Sequence, residues 1–205
     1  MSDRRLTLGV LVSGRGSNLA AIVEAIAGGV LPATVGVVLS SKKEAEALQR
    51  TGGAPAYFVD PAGYADRAEY DLALLHLLKA HGVDLVVLAG YMRLVTPALI
   101  EPYRHRIINI HPSLLPAFPG LRAQRQALEH GAKVTGCTVH FVDEEMDQGP
   151  IIAQVAVPIL EGDTEVVLAG RILREEHRLL LLAIGHIAEK RLRIEGRVVS
   201  VGGMS

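Results

Sequence analysis

Tryptophan is missing, three phenylalanines and five tyrosines are the only aromatics, and cysteine occurs once, as Cys137. A lone thiol cannot close an internal disulfide, so the fold needs no oxidising compartment, and no Cys/His spacing resembles a zinc site. Neither sign of charge dominates: 21 Lys and Arg against 22 Asp and Glu leave a formal charge of −1. That balance argues against a broad surface for nucleic acid or anionic lipid, while allowing a local basic pocket. Long apolar runs are lacking too. The most apolar stretch, 179–184, is far short of the ~20 residues that span a bilayer. At the start, Arg4 and Arg5 precede an apolar stretch interrupted by Thr7 and Gly9, which reads as a first buried strand and not a secretory leader. Hydrophobic residues nevertheless make up 49% of the chain, enough apolar mass to offset the entropy of ordering it. The expectation is one soluble cytoplasmic α/β domain over 1–205, with no membrane and no nucleic-acid partner.

Short apolar runs rich in β-branched residues occur at 8–12, 34–39, 56–59, 85–89 and 107–110. Helical patterns separate them: 18–27 ending at Gly28, 42–50 ending at Gly52, and 64–80, where Leu72, Leu75 and Leu78 suggest the apolar face. Continuous apolar strands alternating with amphipathic helices predict a Rossmann-like open, mostly parallel sheet with helices on both faces. After Pro119 the pattern changes to an antiparallel C-terminal extension. A short helix at 124–129 precedes strands at 134–142 and 151–157, the first alternating with Val134, Gly136, Thr138, His140 and Val142 on one face. Asp163 is positioned to cap a long helix over 164–190. A strand pair at 191–194 and 197–201 closes the chain.

Three stretches carry chemistry. Ser13-Gly14-Arg15-Gly16-Ser17-Asn18 joins the first strand to the first helix, where glycines let backbone N–H groups approach an anion. Leu19 occupies the third glycine position of a dinucleotide fingerprint, and no acidic residue follows the second strand, so one phosphate fits better than a pyrophosphate. Asn109-Ile110-His111-Pro112 ends a central strand. Alternate residues there share a side, placing an amide donor beside an imidazole able to move a proton. The acidic run 143–150 ends in Asp147-Gln148-Gly149-Pro150, and a carboxylate turned inward would orient an imidazole and favour its charged form. His140 either borders such a pocket or packs, and Cys137, on the opposite face of its strand, reads as a small core residue.

With Leu-Ala-Gly-Tyr-Met-Arg at 88–93, Asn-Ile-His-Pro-Ser-Leu-Leu-Pro at 109–116 and Met-Asp-Gln-Gly-Pro at 146–150, these blocks resemble the phosphoribosylglycinamide formyltransferase family. The resemblance runs over most of the chain and departs at Asp143 and Leu173. It implies formyl transfer from 10-formyltetrahydrofolate, the co-substrate, to glycinamide ribonucleotide, with no metal. It implies a phosphate-binding half at about 1–110 and a folate-loop and C-terminal half at about 111–205. Gly16, Ser17 and Asn18 match phosphate-binding positions. Arg67, Met92, Arg93, Leu94, Val95 and Asn109 match folate-binding positions. Asn109 also matches the residue that polarises the formyl oxygen, His111 the proton donor, Asp147 the carboxylate that sustains the charged His111, and Glu176 a residue that meets the substrate amine. The enzyme would act as a monomer or homodimer. Formylation of another amine, hydrolysis of formyltetrahydrofolate and non-catalytic nucleotide binding stand as alternatives.

Overall fold

The computed structural model describes residues 5–202, and Arg4 of the leading basic pair lies outside them. The chain divides into two compact units, Met1–Asn109 and Ile110–Ser205.

In the first unit the sheet runs β3-β2-β1-β4-β5, with every pairing parallel. Its strands are β1 (Leu6–Val12), β2 (Ala33–Ser40), β3 (Ala56–Phe58), β4 (Leu85–Leu88) and β5 (Ile107–His111), the last crossing into the second unit. Val10, Leu11 and Val12 are buried in succession, as are all four residues of β4, so these strands are covered on both faces. Helices α1 (Ser17–Ala27), α2 (Arg67–Ala80) and α3 (Pro97–Ile100) complete the unit. Asp66 caps α2 by accepting the Glu69 N–H at 2.9 Å, while the Glu69 carboxylate reaches back to the Ala65 N–H. The strand order reverses between β1 and β4. Ligands of open α/β sheets bind outside the carboxyl ends of strands at such a reversal, which here means the segments after Val12 and after Leu88.

In the second unit, β6 (Val134–Phe141) pairs antiparallel with β7 (Ile151–Pro158). The chain then adds β8 (Leu192–Glu195) and β9 (Val198–Val201), an antiparallel pair whose β9 lies parallel to β7. Helix α4 (Ala123–Glu129) precedes β6, and α5 (Glu165–Ala188) packs on β6 and β7. The α5 face that does so holds Leu168, Ile172, Leu179, Leu180, Ala183 and Ile184, all buried. The architecture is thus α/β and Rossmann-like, mostly parallel, with antiparallel strands toward the C-terminus.

Four local expectations are corrected. Residues 42–50 form no α-helix. The Ser40 hydroxyl turns the chain by donating to the Lys42 carbonyl and accepting its N–H, and only Glu46–Gln49 coils, as a 3₁₀ turn whose Ala47 N–H is drawn to the Gly14 carbonyl. On α2, Leu72 is exposed, and the buried stripe is Tyr70, Asp71, Leu74, Leu75 and Leu78. Strand β6 is not one-sided, because Thr135 through Phe141 are all buried and Val134 is exposed. The cap of α5 is Thr164, whose hydroxyl accepts the Val167 N–H. Asp163 instead grips Arg171 with both oxygens and accepts the Leu160 N–H, which holds its carboxyl down at about 2.

Candidate active site

The loop after β1 is built around Gly16, which caps α1 at φ 75°. That left-handed backbone disfavours a side chain, and a Cβ there would also lie 2.5 Å from the Cβ of Ala47. The α1 N-terminus has neither a side-chain cap nor an acidic residue in its first turn, so its positive end meets no anionic group of the helix itself. Ser17 opens the helix and Asn18 is buried in it.

Ser13, buried at the foot of this loop, ties it to the segment after β4. Its hydroxyl accepts the Met92 N–H at 3.0 Å and shares a 2.8 Å hydrogen bond with Ser41. The Met92 and Leu94 side chains are exposed, Val95 is half-buried, and the half-buried Arg93 guanidinium lies over the Tyr70 ring, 5.1 Å from its centre. Arg67 stands exposed at the start of α2. The first unit therefore combines an exposed apolar pair with a guanidinium fixed by stacking.

In the second unit, Asp147 is shared by two buried imidazoles. Its Oδ2 lies 3.5 Å from His111 Nδ1 and its Oδ1 lies 3.8 Å from His140 Nε2. The Gly120 N–H donates to Oδ2 at 2.7 Å. Asp147 itself has φ 57°, and at Gly149 a Cβ would overlap the Phe141 carbonyl, so the loop can only close this tightly with glycine there. The other nitrogen of His111, Nε2, faces the Phe118 carbonyl at 2.9 Å. Both ring nitrogens thus face oxygen atoms, Asp147 Oδ2 on one side and the Phe118 carbonyl on the other. His140 differs. Burial pulls its pKa below the ordinary value, opposed by its hydrogen bond to Phe141 and by Asp147. Its Nδ1 faces the Phe141 carbonyl at 2.8 Å and must carry the hydrogen, leaving Nε2 of the neutral ring as an acceptor toward Asp147.

The strap from His111 to Phe118 is held by side chains the sequence did not single out. Ser113 donates to the Ala117 and Phe118 carbonyls, Thr138 donates to the Ser113 carbonyl and accepts the Leu115 N–H, and Gln154 donates to the Leu115 carbonyl. Thr138 entered the sequence reading only as one residue of an alternating strand, a pattern that burial of Thr135 through Phe141 overrides. Among the residues singled out, His111 and Asp147 come together in the second unit, and Gly16, Ser17 and Asn18 lie at one helix start in the first. Asn109 ends the first unit two residues before His111, so the two side chains leave β5 on the same side. Glu176 lies on the buried face of α5. Cys137, also buried, has its thiol pushed up to about 12 by burial and then by Glu176, which suits a core residue and not a nucleophile.

The formyl transferase family model matches residues 7–184. Phosphoribosylglycinamide formyltransferase of Escherichia coli (strain K12) is 40% identical over 196 residues, 95% of this chain and 92% of that protein. Among solved structures, glycinamide ribonucleotide transformylase 1 from Symbiobacterium toebii is 54% identical with a TM-score of 0.97, covering 99% of this chain and 96% of that one. A formyltetrahydrofolate deformylase from Pseudomonas syringae pv. tomato superposes with a TM-score of 0.89 at 28% identity, covering 98% of this chain and 67% of that one. By the extent and level of these matches, the chain belongs to the formyl transferase family and, within it, to the phosphoribosylglycinamide formyltransferases.

Proposed function

We infer that this chain transfers the formyl group of 10-formyltetrahydrofolate to the amine of glycinamide ribonucleotide in de novo purine synthesis. Beside the family match, the observation that carries this reading is the approach of Asp147 to within 3.5 Å of His111 at the end of an Asn-x-His strand. Gly16, Ser17 and Asn18 take the ribonucleotide phosphate at the start of α1. Arg67 and Arg93 supply positive charge for the carboxylates of folate, with Met92, Leu94 and Val95 as its apolar wall and Asn109 contributing. Glu176 meets the substrate amine. The two units serve one formyltransferase domain over 1–205, working in the cytoplasm as a monomer or homodimer. No helix among the described residues is long and apolar enough to cross a membrane.

In the reaction, the amine nitrogen bonds to the formyl carbon and the carbonyl oxygen takes the displaced electron pair. The Asn109 amide and the His111 imidazolium donate to that oxyanion. His111 Nε2–H, which points at the neutral Phe118 carbonyl, is surrendered to the charged oxygen because a charge-assisted bond is the stronger one. Asp147 Oδ1 and neutral His140 Nε2, two acceptors facing each other, suit receipt of the proton the amine sheds. The intermediate collapses by breaking the bond from carbon to the folate nitrogen, which leaves with a proton given up by His111, and the proton shed by the amine and held at Asp147 restores the imidazolium.

The likeness to a deformylase favours one second reading, transfer to water. Absorbance of the tetrahydrofolate product, followed with glycinamide ribonucleotide and with water alone, separates the two. Product only with the ribonucleotide is expected, and equal product without it would overturn formyl transfer.

A further inference from the structure

Asp71, in α2, is a carboxylate at 2% exposure that the formyl-transfer chemistry does not use. Burial pushes its carboxyl up from the ordinary range, while hydrogen bonds from Thr96 and the nearby Arg93 and Arg67 guanidiniums pull the other way. A carboxyl so enclosed is costly unless its neighbours compensate it. The compensation comes from the segment after β4. Asp71 Oδ2 accepts the Thr96 N–H at 2.5 Å. The adjacent Tyr70, itself buried, carries Arg93 over its ring and accepts the Tyr91 hydroxyl at 3.5 Å. With Ser13 holding the Met92 N–H, the segment is tied at both ends and Arg93 is braced between them. Arg67, one helical turn before Asp71, brings the second guanidinium of the same recognition set to the same face of α2.

We propose that Asp71, with Tyr70, is a positioning residue for folate recognition: it fixes residues 92–96, and through them Arg93, in the conformation that meets the co-substrate. This rests on the reading that Met92, Arg93, Leu94 and Val95 line the folate site. Loss of a carboxylate that only stabilised the fold would lower the melting temperature without favouring one ligand over the other. A positioning residue separates them.

The test is isothermal titration with tetrahydrofolate and, separately, with glycinamide ribonucleotide, on Asp71→Ala, Asp71→Asn, Tyr70→Leu and Arg93→Ala. Losing a charged hydrogen bond should weaken tetrahydrofolate binding by about tenfold or more in Asp71→Ala, with ribonucleotide affinity changed less than about twofold. Asp71→Asn should recover most of that loss, because its side-chain carbonyl can still accept the Thr96 N–H. Unchanged folate affinity in Asp71→Ala beside a weakened Arg93→Ala overturns the proposal and leaves the folate site standing, and equal losses for both ligands also overturn it. Wild-type folate affinity in Arg93→Ala removes the folate-site reading and this proposal with it. Should Asp71→Ala not fold, Tyr70→Leu decides. Removing the ring beneath Arg93 should cost about fivefold in folate affinity, and no loss there overturns the assignment.

Discussion

At Asp147 one carboxylate faces two imidazoles. His111 Nδ1 approaches one oxygen at 3.5 Å and His140 Nε2 the other at 3.8 Å, while the Gly120 N–H keeps the carboxylate from rotating. Replacing Asp147 with Asn preserves the shape and removes the charge opposite His111. The turnover number should fall by ~10²–10⁴ in Asp147→Asn and in His111→Ala, the usual range for a lost acid–base group. Because the two residues act as a unit, the double variant should be little slower than the worse single one. Steady-state kinetics of the three variants checks this, and fully multiplicative losses would assign the residues independent tasks. The shared side of Asn109 and His111 was readable in sequence because alternation on a strand and the adjacent Pro112 fix direction locally. The place of His140 was not. It depends on the register shift between Val139 and His140 and on burial of both faces of β6, which one strand's pattern does not encode.

Elements were legible where burial pattern and end signals agreed. The pentapeptide Val-Val-Leu-Ala-Gly occurs at 86–90 and 166–170, yet begins in strand β4 in one place and lies within helix α5 in the other, as its flanking residues indicate. Where local bonds compete with the pattern, the pattern misleads: the Ser40 side chain turns residues 40–42, and Thr164 takes the cap from an Asp163 occupied by Arg171. The glycine loop offers a test at this scale. Gly16 and Gly29 share a left-handed backbone, φ 75° and 70°, but only Gly16 has a neighbour, Ala47, where a Cβ would go. Gly29→Ala should lose about 1–2 kcal/mol of stability from backbone strain and keep the Michaelis constant for the ribonucleotide. Gly16→Val should lose stability and raise that constant at least ~10-fold by displacing N–H donors from the phosphate, with tetrahydrofolate affinity nearly unchanged. Melting curves and initial rates read both effects, and a Gly16→Val enzyme with normal ribonucleotide kinetics would remove the phosphate from this loop.

For the molecule as a whole, stability depends on pH through groups whose proton affinity changes on folding. His140 is one, with a folded pKa depressed chiefly by burial. Released into water it regains its free value of about 6.5, so below that pH the unfolded chain binds a proton the native protein refuses. The unfolded state then holds more protons, and stability rises with pH and falls on acidification. The loss begins as pH drops through about 6.5 and continues until the native ring protonates, contributing at most about 1.4 kcal/mol per pH unit. Asp71 acts in the opposite sense: its raised carboxyl makes the native state the better proton binder, so acidification relieves a cost. The two contributions have opposite signs, so a variant that removes only the His140 imidazole isolates its share. Between pH 7.5 and 5.5 the melting temperature of the protein should drop, by roughly 2–4 °C for each kcal/mol lost in a chain of this size. In His140→Asn, which keeps a donor for the Phe141 carbonyl and cannot titrate, the drop should be smaller even if the variant starts from a lower melting temperature. Calorimetric melts at pH 7.5, 6.5 and 5.5 measure the slope directly, and an unchanged slope in His140→Asn would place the acid sensitivity elsewhere.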